Sequence, residues 1–172
     1  LSVVLAFYLA LALRKHLRDQ GLFLGKKEPN LKKSCDLVAL GTVSDMVPLV
    51  DENRILTCTG IEILRSAHRP GIKALAEACG VDPRYIDAQD ISFRFGPRIN
   101  AAGRMDHAEI AARLLRTPLP EKAGRDSALL SKFNSQRQRE EDIVLKDIVA
   151  RIDRDPGLAQ RNCMVFSSPD WH

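Results

Sequence analysis

The segment opened by Thr117-Pro118 and closed by Asp155-Pro156-Gly157 reads as one long helix whose character changes along its length. Leu129, Leu130 and Phe133 form an apolar cluster early, and Val144, Leu145, Ile148 and Ile152 form another late. Between them Ser135 to Asp142 (SQRQREED) is polar all round. A helix that is amphipathic at each end and polar in its middle bridges two packed units through solvent. The segment is therefore expected to connect two domains through solvent.

The elements on either side read as mostly helical. Leu1 to about Gln20 is a helix stopped by Gly21, followed by a basic loop from Gly25 to Asn30. Ser34 is placed as an N-cap with Asp36 in the first turn of a helix to about Ser44, with a buried strand as the competing assignment because the residues are apolar nearly all round. Glu52 to Ala67 is a helix with Ile55, Ile63 and Leu64 toward the core. Pro70 opens a helix that stops at Gly80. Asp82-Pro83 starts a turn, and Asp106 caps a helix to Leu115. Cys163 to Phe166 reads as a strand that begins a further unit.

Composition bounds the function classes. At 172 residues, 45% hydrophobic and 28% charged, the chain is long enough for one sizeable core or two small ones. The net charge of +4 permits a nucleic-acid partner without demonstrating one. Cys35, Cys58, Cys79 and Cys163 have no CxxC spacing, so neither a zinc framework nor a disulfide scaffold is indicated, and reduced thiols of a cytoplasmic protein are expected. The apolar run Leu1 to Leu13 is too short to span a bilayer and lacks the features of a signal peptide; it is expected to be a buried helix with a basic end. The chain opens inside a helical pattern and closes just after a strand-like run, which reads as a piece of a longer protein.

Two segments carry chemistry. Gly96-Pro97-Arg98-Ile99-Asn100-Ala101-Ala102-Gly103-Arg104 places two arginines and an asparagine among small residues. On a turn, such residues let the backbone approach a ligand and let forked guanidinium donors meet phosphate. The alternative is structural: arginines paired with Asp87, Asp90 or Asp106. Phe93 and Phe95 are read as core rather than as base-stacking platforms. The second segment, Asp36 to Leu49, contains Gly41-Thr42-Val43-Ser44-Asp45. A carboxylate at the end of such an apolar run is expected to be partly buried, and it then needs a cap, a partner or a metal.

In this order and spacing the two segments resemble the RecJ-type single-stranded-DNA exonucleases of the DHH phosphoesterase superfamily. The resemblance implies an α/β parent fold of which this chain is a predominantly helical part. It implies the end of a DHH domain at residues 1–117, a connecting helix at 118–155, and the start of a DHHA1 domain at 156–172. It makes Asp45 a ligand of Mn²⁺ or Mg²⁺ in a two-metal site, with Asp36 as the alternative ligand, read here as a helix cap. It makes Arg98, Asn100 and Arg104 phosphate-binding residues, with Gly103, Trp171 and His172 supporting. The Asp-x-Asp and Asp-His-His motifs of the family are not in this chain, so no complete catalytic set is expected in it. The implied activity is metal-dependent 5′→3′ hydrolysis of single-stranded DNA in repair and recombination, by a cytoplasmic monomer that does not bind membranes. The alternatives are a DHH phosphoesterase acting on small nucleotides or oligoribonucleotides, and a non-catalytic nucleic-acid-binding scaffold.

Overall fold

Helices α1 (Ser2–Asp19), α2 (Cys35–Ser44), α3 (Asp51–Arg65) and α4 (Pro70–Cys79) are followed by a one-turn α5 (Ala88–Asp90) and a π-helical turn, Ile91–Phe95. Then come α6 (Gly96–Arg104), α7 (Ala108–Arg116) and α8 (Pro120–Arg154). The computed structural model describes residues 2–104, 108–155, 157 and 160–171, and of Arg104 the backbone only. Asp106 and His172 lie outside the described residues.

Helix α2 is the centre of the molecule. It is apolar nearly all round because it is covered nearly all round, and it is a helix rather than the strand its composition also allowed. It crosses α3 at Gly60, where a Cβ would stand 2.1 Å from the Cys35 carbonyl oxygen, so only a hydrogen at that position permits the crossing. Leu40, Val43, Leu64, Ile72, Leu75, Ile91, Phe95, Leu114 and Leu130 form one buried cluster. Each such side chain contributes about 1.5–3 kcal/mol on leaving water.

Two ion pairs with buried carboxylates tie the elements. Asp36 is 0% exposed. Its carboxylate accepts from the Leu37 amide at 2.7 Å and pairs with the Arg69 guanidinium, whose Nη1 also donates to the Leu115 carbonyl at 3.4 Å. Arg113 of α7 donates to Asp126 of α8 at 2.6 and 2.9 Å. That hydrogen bond with Arg113 holds the Asp126 carboxyl below the usual carboxylate range, against the opposing effect of burial.

Several expectations are corrected. Helix α1 buries only Val4 and Phe7; Leu5 is 71% exposed and Leu9 and Leu13 also face outward, because α1 meets its neighbours along one stripe. Ile55 is exposed, because the buried stripe of α3 runs through Thr57, Gly60 and Leu64. Ser34 occupies the cap position of α2, but its side chain makes no cap hydrogen bond. The long helix begins at Pro120, not at Thr117-Pro118; the Thr117 hydroxyl instead accepts from the Leu119 amide at 3.2 Å. Residues 163–166 are irregular, and no strand occurs among the described residues. An extended segment needs a neighbour for its backbone groups, and none is offered. Phe93 is 77% exposed while Phe95 is buried: in the π-helical turn Ile91 and Phe95 share the inward face, and Phe93, midway between them, points out.

Helix α8 divides in the middle. Ala123, Asp126, Ser127, Leu130 and Asn134 are buried, and Ser127 Oγ donates to the Ala74 carbonyl at 3.0 Å. Beyond Asn134 the helix leaves the core, and Ile143, Leu145 and Val149 are exposed.

Candidate nucleic-acid interface

Helix α2 delivers Asp45. The helix ends at Ser44, Asp45 is its C-cap, and the chain turns at Met46 with φ of 51°. The turn carries the Asp45 carboxylate outward, so it is exposed rather than partly buried as expected, and it makes no hydrogen bond or ion pair among the described residues. Asp36, the alternative ligand, is committed to Arg69 and is not available.

The arginine-rich segment is a helix, not a turn. The π-helical turn feeds directly into α6, and Pro97 sits in the first helical turn where its missing N–H leaves no bond unmade. The small residues serve close packing instead of loop geometry. Ala101 and Ala102 are fully buried. A Cβ at Gly96 would stand 2.8 Å from Ser44 Oγ and 3.0 Å from the Ile91 carbonyl oxygen. This contact brings the end of α2, with Asp45, against the start of α6. Gly103 is exposed with open space where a Cβ would be.

Among the described residues, Arg98 is held without a carboxylate. Its Nε donates to Ser131 Oγ at 3.2 Å and its Nη1 to the Arg94 carbonyl at 2.8 Å. A guanidinium has five N–H donors, so three remain for a ligand. Among the described residues, which exclude Asp106, the structural pairing is not found for Arg98: Asp87 and Asp90 cap each other, and Asp90 pairs with Arg94 at 3.5 Å. Asn100 is exposed on the same helix. Burial pushes the nearby Cys79 thiol up, outweighing Arg98 and Arg94, so Cys79 is a neutral thiol.

Two concavities meet here. A recess of about 200 Å³ is lined by Ser44, Ser92, Gly96, Pro97, Asn100 and Arg137. A larger cleft of about 1050 Å³ runs along α8 from Gln136 to Ile148 and is bounded by Ala101 and Trp171. The Arg151 guanidinium lies 5.1 Å from the centre of the Trp171 ring and also pairs with Asp147 at 2.8 Å. Trp171 is thereby joined to the outer half of α8. Arg137 lines both concavities, and sequence reasoning missed it by treating the middle of α8 as uniformly solvated. The signal was the spacing: Arg137 follows Ala123, Leu130 and Asn134 on the buried stripe.

The chain is 45% identical to the single-stranded-DNA-specific exonuclease RecJ of Escherichia coli strain K12 over 180 residues, covering 99% of this chain and 30% of that protein. The chain belongs to the RecJ family. It is 46% identical over 145 residues to RecJ of Salmonella typhimurium, covering 83% of this chain and 25% of the relative. The crystal structure of Thermus thermophilus RecJ in complex with Mn²⁺ superposes with a TM-score of 0.66 at 35% identity, over 76% of this chain and 19% of that one. No protein-family model matches. The chain thus spans less than a third of the length of these family members.

Among the described residues no group of three or more His, Cys, Asp or Glu side chains is placed to hold an ion. A two-metal centre needs several carboxylates and imidazoles. These residues do not constitute one, and no catalytic step is assigned to them. No helix among the described residues is long and apolar enough to cross a membrane.

Proposed function

We propose that this chain is part of a metal-dependent exonuclease that hydrolyses single-stranded DNA in the 5′→3′ direction, in repair and recombination. The observation that supports this reading most is the likeness to E. coli RecJ across 99% of the chain, since that relative is a single-stranded-DNA-specific exonuclease. In this reading Asp45 contributes one carboxylate to a centre of two ions, Mn²⁺ or Mg²⁺, both of which suit hard oxygen ligands. When bound, such ions supply Lewis-acid stabilisation of the phosphodiester undergoing attack.

The residues of this chain act on the strand. Arg98, Asn100 and Arg104 bind its phosphates, and Gly103, Trp171 and His172 support the surface. The exposure of Asp45, the three uncommitted N–H groups of Arg98 and the contact joining α2 to α6 favour that assignment. Residues 1–117 would complete a DHH domain, 118–155 connect it, and 156–172 begin a DHHA1 domain. The protein acts as a cytoplasmic monomer.

The test compares the full-length protein on 5′-phosphorylated single-stranded DNA, duplex DNA, oligoribonucleotides and dinucleotides, with Mn²⁺. Mononucleotide release from single-stranded DNA alone is expected. Preference for dinucleotides or oligoribonucleotides would replace this reading with a small-nucleotide phosphoesterase. Binding without hydrolysis would replace it with a scaffold.

A further inference from the structure

We propose that the recess between Ser44, Ser92, Asn100 and Arg137 is a phosphate site, and that Arg137 is its cationic anchor. This rests on the reading of the chain as part of a single-strand nuclease. It assigns roles to Ser44, Ser92 and Arg137, which the family signature does not include.

The lining has the chemistry of an anion site. It offers two serine hydroxyls, one carboxamide and one guanidinium, and none of its six lining residues is acidic. At about 200 Å³ it has room for a phosphate group with its waters. Ser44 Oγ is buried and makes no hydrogen bond among the described residues. A buried hydroxyl without a partner costs free energy, and an oxygen of a bound phosphate would accept its proton.

Arg137 is already oriented. Asn134 is buried on α8, and its Oδ1 accepts from Arg137 Nε at 3.4 Å and Nη2 at 3.3 Å. Nη1 donates to Glu141 at 2.6 Å. Three of the five N–H groups are engaged, leaving two for a ligand. Glu141 is itself mostly exposed, so it holds the guanidinium in a solvated ion pair that a doubly shared phosphate oxygen can rival. The larger cleft along α8 is lined by Glu140, Glu141 and Asp170 besides Arg137, so a strand phosphate is expected in the recess, one residue from Asp45, and not along that cleft.

The test uses the full-length protein with Ca²⁺ in place of the catalytic ion, and measures affinity for a thymidine 20-mer across a salt series. Arg137→Gln is expected to weaken binding about tenfold or more and to flatten the logarithmic salt slope by about one contact. Arg137→Lys should recover part of the affinity. Ser44→Ala should weaken binding while leaving the melting temperature unchanged or raised, which a structural hydroxyl would not do. Glu141→Gln should bind as well as wild type or better. Strands with 5′-hydroxyl and 5′-phosphate ends separate the two sources of phosphate: equal loss with both marks an internal phosphodiester, and loss with the 5′-phosphate alone marks the terminal group. Wild-type affinity and slope for Arg137→Gln would overturn the proposal and leave the nuclease reading standing. Failure of the wild-type protein to bind single strands would overturn that reading itself.

Discussion

Gly96 packs directly on Ser44, so closely that a Cβ at position 96 would stand 2.8 Å from Ser44 Oγ and 3.1 Å from Ser44 Cβ. The contact fixes the end of the Asp45-bearing helix against the helix that carries Arg98 and Asn100. Gly96→Ala is expected to force the two apart and to lower stability by about 1–3 kcal/mol, as overpacking does. Thermal unfolding checks this, and an unchanged melting temperature would show that the junction yields freely.

That junction also shows what was legible in the sequence. The two motifs could be read as neighbours only through resemblance, because the side-chain pattern of Gly96 to Arg104 looks like a loop: two glycines and a proline are poor helix formers. The structure makes it a helix since the π-helical turn before it absorbs the proline and burial of Ala101 and Ala102 outweighs propensity. Helix α4, by contrast, was marked at both ends by Pro70 and Gly80 and falls where those residues put it. The exposure of Asp45 was not legible, because it depends on α2 ending at Ser44, with Asp45 as a C-cap outside the packed helix. Nor was the partnership of Asp36 with Arg69, 33 residues away, which no local pattern encodes.

The Asp36–Arg69 pair should matter for stability alone. Asp36→Ala leaves a partly buried guanidinium without its partner and is expected to cost about 3–5 kcal/mol in denaturant unfolding. Replacing both residues with apolar ones, Asp36→Leu with Arg69→Met, should recover most of the loss. If the single variant were as stable as wild type, the pair would not hold α2 in place.

Asp126 gives a pH dependence with a definite sign. Its hydrogen bond from Arg113 depresses its folded-state pKa below the unfolded value of about 3.9. The stability this confers is present above about pH 4 and is lost as pH falls through the lower folded value. Arg113→Met should therefore reduce stability at neutral pH and flatten the stability profile below about pH 4. Parallel acid-unfolding curves for the two proteins would contradict the assignment.

Arg98 and Arg104 should contribute to strand binding without reading sequence. Alanine at either position is expected to weaken single-strand affinity by about 1.5–3 kcal/mol in the full-length protein, equally on homopolymers of different base. Each change should also flatten the salt dependence. A lower melting temperature with an unchanged salt slope would make them internal partners of the fold.

In the proposed two-ion centre, Asp45 stands exposed at the end of α2 to hold an ion. Asp45→Asn in the full-length protein, assayed for mononucleotide release from 5′-phosphorylated single-stranded DNA with Mn²⁺, tests it most directly. The expected rate is lower by roughly several orders of magnitude, since a two-ion centre loses a ligand, with melting temperature and metal-free strand affinity unchanged. Turnover near that of the wild-type protein would contradict it and leave Asp45 as no more than the cap of its helix.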